Sequence, residues 1–340
     1  MKRAVTFGEV MLRLQPPSYL RFLQTSAFEA TYGGAEANVA VSLAQLGVDA
    51  AFVTRLPDNP LGVACRNQIR SWGVDTGKII FGGPRIGIYY CEKGASQRPS
   101  NVIYDRAGSS FATATRSDFD WEQILDGADW FHFTGITPAL GGELPDIVLD
   151  ACQTAKKKGI TVSCDLNYRK KLWGREKAGE VMGRLCEYVD LLIANEEDSA
   201  DVFGIRASGT DIEGGRLSPD GYAEVAGKLT ERFSLRAAAI TLRESYSASF
   251  NGWSGMLYTD GKPFFSKKYE INIVDRVGGG DSFGAGLIRS LLEGRSPQDA
   301  IEFAVAASCL KHTVEGDFNV TSVSEVESLV KNGGSGRVSR

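Results

Sequence analysis

Val277-Gly278-Gly279-Gly280-Asp281-Ser282-Phe283-Gly284-Ala285-Gly286 is the stretch of this chain best suited to chemistry. Three consecutive glycines free the backbone for conformations that a Cβ forbids. Phe283, Leu287 and Leu291 follow at i, i+4 and i+8, with Ile288 and Leu292 beside them, a spacing that predicts a helix with one buried face. Asp281 falls at the N-cap or in the first turn of that helix. A glycine loop opening a helix aims unpaired N–H groups, reinforced by the helix dipole, at one point, and such a point holds phosphate oxygens. A carboxylate at the same junction is placed to take a proton from an attacking hydroxyl. An anion cradle beside a base is what phosphoryl transfer to an alcohol requires. A plain turn before an Asp-capped helix would look the same, so the rest of the chain must decide.

A second glycine pair opens another helix in Gly33-Gly34-Ala35-Glu36-Ala37-Asn38-Val39-Ala40, which runs to Gly47, a residue suited to the position after a helix end. Gly34 would let a ligand approach the backbone, and Asn38, one turn in, offers an amide to a hydroxyl. Further polar sets follow strand-like runs: Asp165-Leu-Asn167-Tyr-Arg169-Lys, Asn195-Glu-Glu-Asp198 and Thr241-Leu-Arg243-Glu-Ser. Asn195 and Asp198 read equally as Mg²⁺ ligands, an ion that takes only one or two carboxylates, or as the acidic start of a helix. Arg243 reads as a phosphate partner or a surface residue.

The elements that must position these residues alternate. Trp130–Thr134, Thr161–Asp165, Val189–Ala194 and Ala237–Leu242 read as strands, separated by helical stretches at Leu144–Lys158, Glu176–Tyr188 and Tyr222–Phe233. That pattern predicts an α/β fold with a mostly parallel sheet flanked by helices, with ligands beyond the carboxyl ends of the strands. Ile86–Cys91 and Asn101–Arg106 break the alternation and predict a small projecting sheet. No Gly-x-Gly-x-x-Gly follows the first strand, Ala4–Gly8, which disfavours a dinucleotide fold. The 340 residues are 43% apolar and 24% charged with net charge −4, ordinary for a globular enzyme and without the basic field that nucleic acid requires. No apolar run is long enough for a membrane span, and no signal peptide is recognised, so a cytoplasmic location is the expectation. Six scattered cysteines point to buried thiols, and His132 and His312 to structural roles.

Asp275-Arg-Val-Gly-Gly-Gly-Asp281-Ser-Phe resembles the signature Asp-x-x-Gly-Ala-Gly-Asp-x-Phe of the PfkB/ribokinase family of sugar kinases, with Gly279 in place of the usual Ala, a change expected to be sterically harmless. Gly-Gly-Ala-x-x-Asn-x-Ala is that family's second signature, and both occur here in the expected order. The resemblance implies a three-layer ribokinase-like fold over residues 1–330, lid strands from about 10–33 and 84–108, and a flexible tail over 331–340. It implies ATP and Mg²⁺ as cofactors, Asp281 as base, and an anion hole from Gly278, Gly279 and Gly280. Asn167, Asn195, Thr241 and Arg243 would join Gly278 and Gly280 around the nucleotide, with Asn195 and Asp198 near the metal. Gly135–Leu140, Asp165–Trp173 and Lys311–Asp317 resemble the family's 2-keto-3-deoxygluconate kinase branch. There the sugar acid would meet Gly34, Asn38, Tyr90 or its neighbour Tyr89, Tyr104, Arg106, Arg169, Asp281 and Asp317, the arginines matching its carboxylate. A kinase for the galactonate epimer, fructose or ribose is the nearest rival, and a non-catalytic sugar-binding regulator the rival from another class. The resemblance also implies a homo-oligomer formed through the lid.

Overall fold

Leu191–Ala194 and Trp130–Thr134 are buried along their whole lengths, as strands covered on both faces must be. The computed structural model describes residues 2–208 and 218–333. Within them a nine-stranded sheet runs in the order Lys262–Phe265, Phe250–Thr259, Ala237–Ser245, Leu191–Ala194, Thr161–Asp165, Trp130–Thr134, Arg3–Phe7, Asp49–Val53, with Tyr269–Asn272 also paired to Phe250–Thr259. The six strands from Asp49–Val53 to Ala237–Ser245 are mutually parallel, and the hairpin beyond them is antiparallel.

Alternate residues of each strand feed two cores. Val5, Phe7, Phe131, Phe133, Val162, Leu192 and Ile240 face one, covered by the helices Leu144–Lys157, Arg175–Cys186 and Pro219–Phe233. Ala4, Trp130, Leu191, Ile193 and Ala239 face the other, covered by Ala35–Gln45, Gly279–Leu292, Pro297–Lys311 and Val323–Asn332. These are the three layers expected. Phe283 and Leu287 are wholly buried, and each such side chain contributes about 1.5–3 kcal/mol. A Cβ on Gly286 would stand 2.9 Å from Ala304 Cα, so small residues let these two helices touch along their backbones.

A separate four-stranded sheet, the lid, has the order Glu29–Gly33, Met11–Gln15, Gly87–Glu92, Asn101–Asp105. Its alternation is inverted: Arg13 and Gln15 point inward and are buried, while Leu12 and Leu14 are partly exposed.

Most element ends move by one to three residues from the sequence reading, and three bear on the site or the chain ends. Ala237–Ser245 outruns Leu242 because it continues into the hairpin, so Arg243 lies within a strand, opposite Trp253. The first core strand starts at Arg3 and ends at Phe7. The final helix reaches Asn332, past the tail boundary at 331, because Ser322 and Glu325 form a capping box and Gly333 ends it at φ 66°; residues 334–340 lie outside the described residues. The six cysteines are free and buried. His132, driven down to about 3 by burial, bonds Ser163 Oγ inside the sheet.

Candidate active site

The helix Gly279–Leu292 is capped by Gly278 at φ 83°, and a Cβ there would overlap the carbonyl oxygen of Asp317. Glycine is therefore imposed twice, by conformation and by space. Asp281 falls in the first turn rather than at the cap. Among the described residues no acceptor takes the N–H groups of Gly278, Gly280 or Asp281, whereas Gly279 N–H bonds Arg276 O at 3.3 Å. The anion hole expected from all three glycines thus loses Gly279, whose donor closes the turn.

Gly279 has a different constraint. A Cβ on it would lie 2.5 Å from His312 Cε1. His312 is held by its Nδ1 on Ser308 O at 2.7 Å and by Trp253, 5.0 Å between ring centres. Glycine in place of the family's alanine is therefore imposed by His312, where the sequence reading expected a harmless change.

Asn38 donates from Nδ2 to Asp281 Oδ2 at 2.7 Å and accepts Gly34 N–H on Oδ1 at 3.3 Å. The two glycine motifs therefore meet. Burial raises Asp281 to about 6; the Asn38 bond opposes this, Asp317 adds to it, and Arg169 and Lys311 oppose it. Gly34 is glycine because a Cβ would overlap Glu9 O.

Asp165 ends its strand and Asp198 lies in the first turn of Glu196–Phe203. Burial raises both, Asp198 to about 6, and the charges of Asp198 and Asp281 raise Asp165 further. Arg169, exposed and hydrogen-bonded through Nη1 to Tyr168 O, is the cation whose field opposes all three shifts. Asn195 Oδ1 caps the helix by accepting Asp198 N–H at 2.8 Å. Asn167 sits at φ 40° with its N–H on Asp165 Oδ1, which turns the chain toward Arg169.

On the lid, Arg13, Tyr89 and Tyr104 pair across three strands and share the inner face. Tyr104 packs on Tyr89, with centroids 6.0 Å apart, and Arg106 lies 5.6 Å over the Tyr104 ring. Tyr90 belongs to the opposite face, against Phe22 and Phe28, because neighbouring strand residues alternate sides. Tyr89, not Tyr90, is the residue brought to the site. Arg106 donates through Nε and Nη2 to Glu9 Oε2, leaving Nη1 without a partner among the described residues. Asp317 also differs from expectation: its carboxylate accepts from Arg13 Nη1 at 2.5 Å and Tyr89 Oη at 2.6 Å, and it is 4% exposed. It braces the site rather than offering a free oxygen to a sugar.

Thr241 lies opposite Gly255, and the exposed Arg243 side chain makes no hydrogen bond or ion pair among the described residues. Arg276, which the sequence reading passed over, donates to Ala248 O at 2.9 Å, and burial and the charge of Arg243 lower it. Two guanidinium groups that repel one another beside the free N–H groups favour an anion there. Its signal was an arginine directly inside the glycine motif. Among the described residues no three His, Cys, Asp or Glu side chains cluster in an arrangement that could hold a metal ion.

The fold and this site define a carbohydrate kinase: residues 1–322 match the pfkB family carbohydrate kinase model, and the chain belongs to that family. It transfers a phosphoryl group to an alcohol. Among its relatives, the 2-dehydro-3-deoxygalactonokinase of Haloferax volcanii is 37% identical over 98% of both chains. The 2-dehydro-3-deoxygluconokinase of Bacillus subtilis is 27% identical over 93% of this chain and 91% of its own. The crystal structure of 2-dehydro-3-deoxygluconokinase from Thermotoga maritima is 56% identical with a TM-score of 0.94, covering 97% of this chain and 98% of that one.

Two outcomes follow from this geometry. Gly279→Ala should cost about 1–3 kcal/mol of stability by overpacking, and His312→Ala in the same chain should recover most of it; denaturant midpoints of the single and double variants measure the coupling. Asp198 is raised when folded, so at pH 8 its ionised form is held at a cost that Asn removes. Asp198→Asn should therefore raise the melting temperature by about 2–4 °C at pH 8, a gain that fades as pH falls from about 6 toward 4, where the folded carboxyl is already protonated.

Proposed function

We propose that the chain phosphorylates 2-dehydro-3-deoxy-D-gluconate at O6, converting ATP to ADP and giving 2-dehydro-3-deoxy-6-phosphogluconate. One observation carries this reading. Contacts pass from Asp281 to Asn38, Gly34, Glu9, Arg106, Tyr104, Tyr89, Asp317 and Gly278, a ring that returns to Asp281. It combines a base and free N–H donors with an arginine edge, the combination a substrate bearing both a primary alcohol and a carboxylate needs.

Asp281 takes the proton of the 6-hydroxyl and holds that oxygen toward the phosphate. The N–H groups of Gly278, Gly280 and Asp281 receive the charge on the transferring group, and Arg243 and Arg276 meet the remaining phosphate oxygens. Glu9 fixes Arg106 by one edge so that Nη1 and the exposed Arg169 meet the substrate carboxylate. Asp165 and Asp198 suit Mg²⁺: both are carboxyls raised chiefly by burial, with Asp198 adding to the rise at Asp165 and the exposed Arg169 the cation that opposes it, and this metal completes its shell with phosphate and water. When bound it neutralises phosphate charge.

The galactonate epimer is the second reading, favoured by the Haloferax relative. The lid's outer face, where Phe28 packs on Tyr90 and Ile103 lies opposite Tyr90, at 44% and 50% exposure, supports self-association through the lid, the partner being a second copy of this chain. The test is ADP release with both keto-deoxy acids, fructose and ribose. The gluconate acid should give the highest kcat/KM, and Arg169→Ala should lower it by about 10–100-fold with little change in ATP affinity. Preference for a neutral hexose would refute the carboxylate assignment, and preference for the galactonate acid would establish the second reading.

A further inference from the structure

Lys311 is fully buried at the end of Pro297–Lys311, yet it makes no salt bridge among the described residues. Its Nζ donates to two main-chain carbonyls, Val314 O at 3.2 Å and Asp275 O at 3.4 Å. The nearby carboxylates are already engaged. Asp275 accepts from Arg13 Nη2 at 2.6 Å, Val277 N–H at 3.0 Å and Gly316 N–H at 3.2 Å, and Asp317 accepts from Arg13 and Tyr89.

Both carbonyls belong to segments that shape the anion loop. Asp275 lies three residues before Gly278, and Val314 opens the turn leading to Asp317, whose own carbonyl packs where a Gly278 side chain would be. Lys311 Cε is itself 3.2 Å from that position. Converging main-chain carbonyls away from water are what a monovalent ion seeks in place of its hydration shell. Here an ammonium on a tether fills that role. Burial lowers Lys311, and the charges of Asp275 and Asp317 act to keep it protonated.

We propose that Lys311 is a positioning residue, a built-in cation that holds the carbonyls of residues 275 and 314 and thereby sets the 278–281 loop, so that phosphoryl transfer needs no exchangeable monovalent cation. This rests on the reading that the loop receives phosphate. The test compares potassium, sodium and tetramethylammonium chlorides at matched ionic strength, following ADP release and calorimetric binding of a non-hydrolysable ATP analogue. The unmodified enzyme should vary by no more than about twofold, and Lys311→Ala should lose about 100-fold in turnover in tetramethylammonium and recover at least about tenfold with potassium or ammonium. Activation of the unmodified enzyme by more than about tenfold with any small cation would overturn the proposal, and it decides the matter alone should Lys311→Ala not fold. A folded Lys311→Ala with unchanged turnover, or with no recovery, would overturn it too. Absence of analogue binding by the unmodified chain in every salt would instead overturn the phosphate-loop assignment on which it rests.

Discussion

One hydrogen bond, from Asn38 to Asp281 at 2.7 Å, joins residues 243 positions apart and brings the openings of two helices together. Each opening presents a positive dipole end, and both favour an ionised carboxylate. Burial and the charge of Asp317 favour the protonated form. The balance leaves Asp281 near 6, low enough to be ionised at neutral pH and high enough to hold a proton briefly. Glycines 34 and 278 permit the approach, since a side chain at either would collide with backbone.

Around this contact the charges are divided by role. Arg13 and Lys311 are buried, spend their donors on fixed oxygens, and tie the lid and the C-terminal turn to the anion loop. Losing one partner from a buried pair such as Arg13–Asp275 costs about 3–5 kcal/mol, so this base is stiff by construction. Arg169 and Arg243 are exposed, and neither forms an ion pair among the described residues. A site whose work is to position reactants and neutralise phosphate needs both kinds.

Much of this was legible in the chain itself. Glycine runs before apolar helices located the two halves of the site, and alternating strands and helices located the sheet that aligns them. The lid was readable as a sheet but not in its facing. A choice between Tyr89 and Tyr90 depends on the pleat, which pairing with Met11–Gln15 sets and local sequence does not. Asp317 read as a ligand contact because its partner, Arg13, is 304 residues away. Gly279 read as a neutral change because His312 comes from another helix, and Lys311 carried no reading of its own because its carbonyl partners emerge only in the fold. Long-range pairing decided each of these.

The most direct measurement of Asp281 as the base is kcat/KM against pH for the unmodified enzyme and Asp281→Asn. The rate should fall on the acid side with an apparent pKa of about 6 and level above it, and Asp281→Asn should be slower by orders of magnitude and lack that limb. A variant that keeps both its rate and the acid limb would contradict the assignment of Asp281 as the base.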